Sequence, residues 1–389
     1  MVIPTSVVTF MPLSPLPPHA SSSAQSAAVK RSRARRWGSI VASILIILSG
    51  LWLMAALWYQ LKSNLILCLT LITILAAFIT ALLLSWHGLS WHRLAHLKRH
   101  RAILSASYLV VWLTGLAWFV SLTPSTHRDW KPEVAHILSY ERDAANPNIV
   151  TLHHVRDFDW QDADHAVEHW QSRQVDLNQL KGVDVINSYW MGPIIAHTLV
   201  SFEIEGDRPI AFSFEIRKEQ GEDFSAIGGF FKQYELSLIA SEERDILYTR
   251  SNARGEQVYL FPIDRLSKGQ LRAMFESYLK AADELQTRPA WYNTLTSNCT
   301  NIIFYMARPI SGDSLPWDYR VWASGWLPNY LYDNHLLPNE LDWSMAEWYK
   351  QSHINPKVVA KLTRQDNQSD DAYSKLIRQG LPEARIREE

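Results

Sequence analysis

The sequence predicts a membrane protein of α+β class, in which three N-terminal transmembrane helices precede one domain outside the cytoplasm. Three observations support this prediction: apolar runs of about 20 residues near the N-terminus, alternating strand patterns after residue 150, and two helical patterns between residues 268 and 309. The chain has 389 residues, of which 47% are apolar, and this is enough for a full core beside the membrane segment.

We predict that residues 1–36 form a disordered, basic cytoplasmic arm. They begin with a stretch rich in Pro, Ser and Ala in which apolar residues recur with no sustained helical or strand period. The three apolar runs cover residues 39–58, 65–86 and 103–122 and contain no charged side chain. Each run is long enough to cross a bilayer. We therefore assign residues 37–122 to a three-helix transmembrane region and residues 123–389 to the outer domain.

The distribution of Lys and Arg predicts the orientation of the helices. Basic residues precede the first run and separate the second from the third, whereas the loop between the first two runs carries only Lys62. Because Lys and Arg accumulate on the cytoplasmic side, the N-terminus is expected in the cytoplasm and the outer domain on the other side. A cleaved signal peptide is the alternative, but the first run is long and lacks a clear A-x-A site.

The sequence of the outer domain predicts strands followed by two helices. "HTLVSFEIEGDRPIAFSFEIRKE" contains two alternating runs around a turn, which is typical of a β-hairpin, and "QVYLFPI" predicts a further strand. Residues 267–289 have the spacing of an amphipathic helix, and "NCTNIIFYMARP" predicts a second helix that Ser297 and Asn298 can cap and Pro309 ends. The net charge of −1 gives no support for nucleic-acid binding.

Cys299 is the candidate nucleophile. Cys68 lies in the second apolar run, so Cys299 is alone in the outer domain and has no disulfide partner there. The alternative to a nucleophile is that Cys299 is a small apolar side chain buried in the core, with a structural role only. The position at a helix N-terminus favours a thiolate, and the free amides of the first turn can hold an oxyanion.

His197 is the candidate base, because it begins a predicted strand. The other strand of the same hairpin carries two polar residues, Ser213 and Glu215, on one face. We prefer Glu215 as the residue that orients the imidazole, since a carboxylate stabilises an imidazolium, and Ser213 is the alternative. A purely structural role for His197 remains open. Asn298 and Thr300, beside the cysteine, and Asn252 and Arg254, in "RSNARGE", are candidate substrate-binding residues; the latter two alternatively form only a turn.

Residues 153–169 are rich in His, Asp and Glu, and His165 and His169 would share a face of a helix. A metal site is one interpretation of this segment. We prefer a solvated helix in which Arg156 and Asp157 form structural ion pairs, because the acids follow no known ligand spacing. We therefore predict neither a metal nor a cofactor.

Several motifs resemble a known family. "RDFDW", "GVDVINSYWMGPIIAHTLVSFEI", "FSFEIRKEQGEDFSAIGGFFKQYEL", "SEERDILYTRSNARGEQVYLFPI" and "YNTLTSNCTNIIFYMAR" are similar, in this order, to the periplasmic domain family that includes the N-terminal domain of Lnb-type lipoprotein N-acyltransferases. The resemblance implies a permuted papain-like domain, similar to the lecithin retinol acyltransferase group. It implies Cys299 as nucleophile and His197 as base, but no firm third residue. The three N-terminal spans depart from the acyltransferase members.

Together these features predict a bacterial inner-membrane protein whose periplasmic domain is a cysteine-dependent acyltransferase or hydrolase. The expected substrates are ester or amide bonds of lipids or lipoproteins near the membrane, and membrane lipid is the expected partner. The sequence identifies no protein partner. A cell-wall peptide amidase or peptidase is the alternative enzyme, and a non-catalytic membrane scaffold is the alternative outside enzymes.

Overall fold

The computed structural model describes residues 22–87, 96–311, 315–339, 341–364, 367, 371–384 and 386–387. The chain divides into two compact units, residues 1–121 and residues 122–389. The first unit corresponds to the helical N-terminal region and the second to the outer domain.

The first unit contains three long helices, α1 (Ser22–Leu61), α2 (Leu65–His87) and α3 (His96–Ser121). Their segments Arg36–Leu61, Leu65–Trp86 and His100–Ser121 are each long and apolar enough to cross a membrane, with mean hydropathies of 2.5, 2.7 and 1.8. The prediction of three N-terminal helices that can span a membrane is thus confirmed by length and composition.

The beginning of α1 differs from the predicted disordered arm. Residues 1–21 lie outside the described residues, but the helix already begins at Ser22, inside the predicted arm 1–36. The physical reason is that residues 22–36 are rich in Ala and Arg, which have high helix propensity, and that they run directly into the apolar helix. Because nucleation is the costly step, an existing helix extends readily into such a sequence.

The second unit is a mixed α+β domain, as predicted. Its strands are β1 (Ser139–Arg142), β2 (Ile149–Arg156), β3 (Asp159–Trp160), β4 (Ala166–Val167), β5 (Trp170–Asp176), β6 (Leu180–Tyr189), β7 (His197–Ile204), β8 (Ile210–Arg217), β9 (Glu235–Ser241), β10 (Gln257–Pro262), β11 (Leu266–Ser267) and β12 (Ile386–Arg387). Its α-helices are α4 (Glu243–Tyr248), α5 (Lys268–Thr287), α6 (Cys299–Ser311), α7 (Leu327–Asp333), α8 (Met345–Ser352), α9 (Asn355–Val358) and α10 (Ala372–Arg378). Short 3₁₀ turns cover Pro132–Val134, Leu177–Gln179, Gly228–Phe231, Tyr319–Val321 and Ser324–Trp326, and a π-helical turn covers Thr249–Ala253.

The main sheet has the strand order β1-β2-β9-β8-β7-β6-β10, and β5 pairs with β2 beside this path. The strands pair antiparallel except for one parallel bridge between β2 and β9. Apolar side chains cover both faces. Val200, Phe202 and Phe212 pack in the core that includes α5 and α6, whereas Leu199 and Ala211 pack in a second core with residues of α4, α9 and α10. This alternation follows from the two-residue period of a strand.

The predicted hairpin, the β10 strand and both helices are present. Ser267 caps α5 in a capping box with Gln270, which fixes the start of that helix. The prediction that Pro309 ends α6 is wrong by two residues, because the helix continues to Ser311 with the proline inside it. A proline so close to the end removes few hydrogen bonds, and the helix tolerates it.

The solvated helix predicted between residues 153 and 169 is wrong. This segment contains the end of β2, the short strands β3 and β4, and a turn in which Asp162 accepts the backbone amides of Asp164 and His165. The local charge pattern does not reveal that β3 and β4 pair with each other in a separate two-stranded sheet. The structural ion pairs are present, since Arg156 binds Asp245 and Asp157 binds Arg244.

Candidate active site

The hairpin of β7 and β8 brings the predicted base and its partners together. The two strands pair Val200 with Phe212 and Phe202 with Ile210, and the same register continued to the start of β7 places His197 opposite Glu215. Ser213 lies two residues from Glu215 and therefore points to the same face of the sheet. The alternating sequence thus places one imidazole beside a hydroxyl and a carboxylate.

The hydrogen bonds fix which nitrogen of His197 carries the proton. Ser213 Oγ donates its only proton to Glu215 Oε1 at 2.7 Å, so the 2.7 Å contact between His197 Nε2 and Ser213 Oγ has the imidazole as donor. Nε2 also lies 3.1 Å from Glu215 Oε1. The other nitrogen, Nδ1, is therefore the basic one and is free to take a proton from the thiol. Ser213 and Glu215, the two candidates from the sequence, act on the imidazole together.

Cys299 is the first residue of α6 and is 7% exposed. Thr198, the neighbour of the histidine, donates its backbone amide to Cys299 Sγ at 3.5 Å. Burial alone would raise the pKa of the thiol, but the charge of His197, a hydrogen bond with its imidazole and the Thr198 amide outweigh burial and lower that pKa. The geometry therefore favours a thiolate.

The charges around His197 complete the ion pair. Burial of the imidazole would lower its pKa, but the carboxylate of Glu215 and the sulfur of Cys299 raise the pKa of His197 to about 9. Burial acts against the ionised form of Glu215 as well, yet His197 and Arg250 hold the pKa of that carboxyl well below its usual range. A thiolate, an imidazolium and a carboxylate thus stabilise one another.

Arg250 is a site residue whose role the sequence did not indicate. Its Nη2 donates to Glu215 Oε1 at 2.9 Å, and its Nη1 lies 3.2 Å from Glu256 Oε2, which also accepts the hydroxyl of Ser188. Arg250 lies in the π-helical turn after α4. Such turns often occur at functional sites, but no local sequence pattern marks one. Arg250 therefore positions Glu215 behind the imidazole.

Among the described residues, the cap at the N-terminus of α6 binds the first-turn amides except that of Cys299. Asn298 Oδ1 accepts the amides of Thr300 and Asn301, each at 3.0 Å, and the Asn298 carbonyl accepts the amide of Ile302. Asn298 Nδ2 donates to the Thr294 carbonyl at 2.9 Å. The amide of Cys299 is therefore the first-turn donor that the cap does not use, and it is the one available for an oxyanion.

Ser324 and Gly325, which follow α6, bind the backbone just before His197. Ser324 Oγ accepts the amide of Ala196 at 2.9 Å and donates to the carbonyl of the same residue at 2.8 Å. Gly325 donates its amide to the Ile194 carbonyl, and a Cβ at this glycine would lie 2.1 Å from the Pro193 carbonyl oxygen. Only glycine permits this close approach. The segment after α6 thereby fixes the start of β7.

Cys299 and His197 line a cavity of about 410 Å³. Of the four predicted substrate-binding residues, Asn298 and Arg254 line it, whereas Asn252 and Thr300 do not. Asn252 Oδ1 accepts the hydroxyl of Ser251, and Thr300 pairs with Thr198 through their hydroxyls at 2.7 Å. Asn298 faces the cavity, but its Oδ1 is used in the helix cap and its Nδ2 is bound to the Thr294 carbonyl. Arg254 is therefore the predicted residue that is best placed for a substrate.

A larger open cleft of about 1,300 Å³ lies on another part of the domain. Arg378 of α10 binds Asp184 at 2.6 Å and Glu243 at 2.7 Å there, which fastens the C-terminal helix to the sheet. The residues that line this cleft include no cysteine, and several of its charged side chains, such as Arg378 and Asp184, are joined in ion pairs. We therefore place the candidate site at Cys299 and not in the larger cleft.

The alternative metal site of residues 153–169 finds no support among the described residues, where no three His, Cys, Asp or Glu side chains converge to hold an ion. His165 pairs with Asp162 at 2.9 Å and His169 lies 3.6 Å from Asp157. Since the segment is not helical, the two histidines do not share the helix face that the spacing predicts.

Comparison with known proteins agrees with the resemblance noted in the sequence. Residues 166–325 match the model of the family described as Lnb N-terminal periplasmic domain. This range includes both His197 and Cys299. Neither the curated proteins nor the solved structures give a significant match to the chain. With its three candidate spans, the chain is a membrane protein with a periplasmic domain, and residues 166–325 of that domain are similar to the Lnb N-terminal periplasmic domain family.

Proposed function

We propose that the outer domain is a cysteine-dependent acyltransferase or hydrolase that acts on ester or amide bonds of lipids or lipoproteins at the membrane surface. The observation that supports this proposal is the connected set of Cys299, His197, Ser213 and Glu215, of which Cys299, His197 and Glu215 line one cavity. A buried thiolate–imidazolium pair serves no packing purpose, whereas it is the form in which a cysteine attacks a carbonyl.

In the first half-reaction, the Cys299 thiolate attacks the carbonyl carbon of the substrate. The Cys299 amide donates to the oxyanion that develops. As the bond to the leaving oxygen or nitrogen breaks, the His197 imidazolium gives its Nδ1 proton to the leaving group. The products are an acyl-thioester on Cys299, a free alcohol or amine, and a neutral imidazole.

In the second half-reaction, the neutral imidazole of His197 takes a proton from an incoming amine or water. The acceptor attacks the thioester carbonyl, the C–S bond breaks, and the thiolate returns. Glu215 and Ser213 hold Nε2 throughout, so the imidazole keeps the same orientation in both steps. Arg250 keeps Glu215 charged and in place.

The cavity lining supports a lipid acyl group over a cell-wall peptide. Trp190, Met191, Ile195, Phe224 and Leu295 all line it and are 38–56% exposed. Exposed apolar side chains around a cavity gain free energy when an apolar chain covers them, whereas a polar peptide would leave them in contact with water.

A direct test uses the full-length protein in detergent and p-nitrophenyl octanoate as the probe. We expect a burst of p-nitrophenol and a hydroxylamine-sensitive mass increase on Cys299. Cys299→Ser should abolish both, and Cys68→Ser, which removes the other cysteine of the chain, should retain both. Equal turnover by parent and Cys299→Ser would contradict the proposal.

We further propose that the protein lies in the inner membrane of a bacterium with its N-terminus in the cytoplasm. The support is the excess of Lys and Arg before α1 and between α2 and α3. An alkaline phosphatase fusion after Thr123 is expected to be active, and a fusion between α2 and α3 inactive. The reverse pattern would overturn this orientation.

A further inference from the structure

Exposed apolar side chains extend from the cavity at Cys299 onto the surface of the outer domain. Six of them lie in the connections β6–β7, β8–β9 and α5–α6 and are 42–60% exposed. We define this set as the apolar rim: Met191, Ile194, Phe224, Ile227, Phe230 and Leu295. Ile194 and Ile227, at 56% and 60% exposed, do not line the cavity. A ligand inside the cavity would therefore leave part of the rim in contact with water.

The three connections that carry the rim contact one another. The ring of Trp190, which precedes Met191, makes a T-shaped contact with the ring of Phe224, and the ring centres are 5.8 Å apart. In the α5–α6 connection, Thr294 Oγ1 donates to the Ala226 carbonyl at 2.7 Å. The rim is therefore one surface built from three segments and not a set of separate side chains.

The rim is large for a surface that meets only water. Since a large apolar side chain has about 200 Å² of surface, six that are half exposed present on the order of 600 Å². This value matches the upper end for the largest apolar patch of a typical soluble monomer, about 300–600 Å², and such patches are often functional. Asp223, which precedes Phe224, is exposed. We therefore expect an occupant that is apolar at the rim and hydrated at its margin.

The rim also lies close to the residue that follows the third candidate membrane span. This span ends at Ser121. The carbonyl of the next residue, Leu122, accepts hydrogen bonds from Lys232 Nζ at 3.2 Å and Trp291 Nε1 at 3.3 Å. Lys232 follows Phe230 by two residues, a distance of at most about 7 Å along the chain. The outer domain is thus fastened, directly after the span, to the segment that contains part of the rim.

We propose that the apolar rim docks on the lipid bilayer, with its side chains at the boundary between headgroups and acyl chains. A bilayer supplies hydrocarbon for the side chains and hydrated headgroups for the polar margin. It is also within reach, because the third candidate span ends one residue before Leu122. The cavity at Cys299, which the rim borders, then opens at the membrane surface. This inference goes beyond the proposed function and holds for a scaffold as well as for an enzyme.

The test measures contact between the rim and lipid in the full-length protein. The background without cysteine is Cys68→Ser with Cys299→Ser, and Ile227→Cys supplies one thiol for the fluorescent label NBD. The protein is reconstituted in phosphatidylcholine nanodiscs, with or without a phosphatidylcholine whose acyl chain carries a nitroxide. Because interfacial apolar side chains lie about 5–10 Å into the headgroup–acyl boundary, the nitroxide should lower the emission of the label at least about twofold.

Glu205→Cys provides the matched control label. Glu205 is exposed and directly follows β7, whereas Ile194 of the rim precedes the other end of this strand. Eight residues of strand separate Glu205 from His197, which corresponds to about 26 Å. The nitroxide should therefore leave the emission from the label on Glu205→Cys unchanged.

A second variant tests whether the rim acts as one surface. Ile227→Asp together with Phe230→Asp should remove most of the quenching from a label on Leu295→Cys, because two carboxylates would have to leave water with the rim. Both substituted side chains are exposed, so the fold should be retained. Val359→Asp is the control, since Val359 is 53% exposed and does not line the cavity. This control should keep the full quenching.

The inference is overturned by an unquenched label on Ile227→Cys, by equal quenching on Ile227→Cys and Glu205→Cys, or by full quenching on Leu295→Cys in the variant with both aspartates. An unquenched label together with a disulfide between two copies through Ile227→Cys would show that a second copy, and not lipid, covers the rim. The protein in these measurements lacks Cys299, so the result does not depend on acyl transfer. Failure of the proposed function would therefore leave the docking surface standing.

Discussion

His197→Ala tests the ion pair most directly. In a Cys68→Ser background Cys299 is the only cysteine of the chain, so a thiol reagent reports on it alone. The substitution removes both the charge and the hydrogen bond through which His197 lowers the pKa of Cys299. Burial, which raises that pKa, remains. The thiol should therefore ionise at higher pH in the variant.

The expected magnitude follows from the ionised fraction. A thiol with the ordinary pKa of 9.0 is about 1% ionised at pH 7. Complete ionisation in the parent would thus raise the thiolate concentration about 100-fold relative to a thiol of ordinary pKa. Because nucleophilicity falls with pKa by a factor of about 10^0.4 to 10^0.5 per unit, part of this gain is lost. We expect the parent to react about tenfold faster than His197→Ala at pH 7.

The assay measures the second-order rate of alkylation by iodoacetamide between pH 5 and 10, with intact-protein mass spectrometry as the readout. The rate in His197→Ala should rise about tenfold per pH unit near neutrality, whereas the parent should already be near its plateau. His165→Ala, a change at an exposed histidine outside the cavity, is the control. Equal rates in parent and His197→Ala, or one common titration midpoint, would refute the ion pair.

Three further substitutions test the surroundings of the pair. Glu215→Gln removes the main charge that raises the pKa of His197, which is about 9 in the parent. The alkaline limb of the pH–activity profile should therefore move to lower pH. An alkaline limb at the parental pH would exclude Glu215 as the partner of His197. Asn298→Ala should lower the stability of the domain by about 1 kcal/mol through loss of the helix cap, measured by thermal unfolding, and Asn298→Asp should retain most of it; a raised KM with unchanged stability would instead indicate substrate binding. Asp245→Asn should lower the free energy of unfolding by about 3–5 kcal/mol. Asp245 is fully buried and binds Arg156 Nε at 2.8 Å, so removing its charge leaves the charge of the buried guanidinium without a partner charge at this contact. Unfolding at the parental temperature would contradict this last expectation.

The agreement between sequence and structure is closest where a pattern is local. The hairpin of β7 and β8 follows from alternation over eight residues in each strand, and this alternation together with the hairpin register places His197, Ser213 and Glu215 on one face. Cys299 at the start of α6 follows from the polar residues before an apolar run. The helix predicted for residues 153–169 was wrong, since the charges of this segment resemble those of a solvated helix, whereas β3 and β4 within it pair with each other.

The sequence by itself determined the three apolar helices, the α+β class, and a cysteine at a helix N-terminus preceded by a histidine on a strand. These features depend on periodicity and composition, which act over a few residues. The tertiary structure alone decided that Arg250 reaches Glu215 across 35 positions, that Asn298 is used by the cap, and that Arg254 but not Asn252 lines the cavity. The physical reason is that these contacts depend on how the π-helical turn, the sheet and α6 pack against one another. Packing brings together residues that are far apart in the chain, and no local sequence pattern marks such pairs.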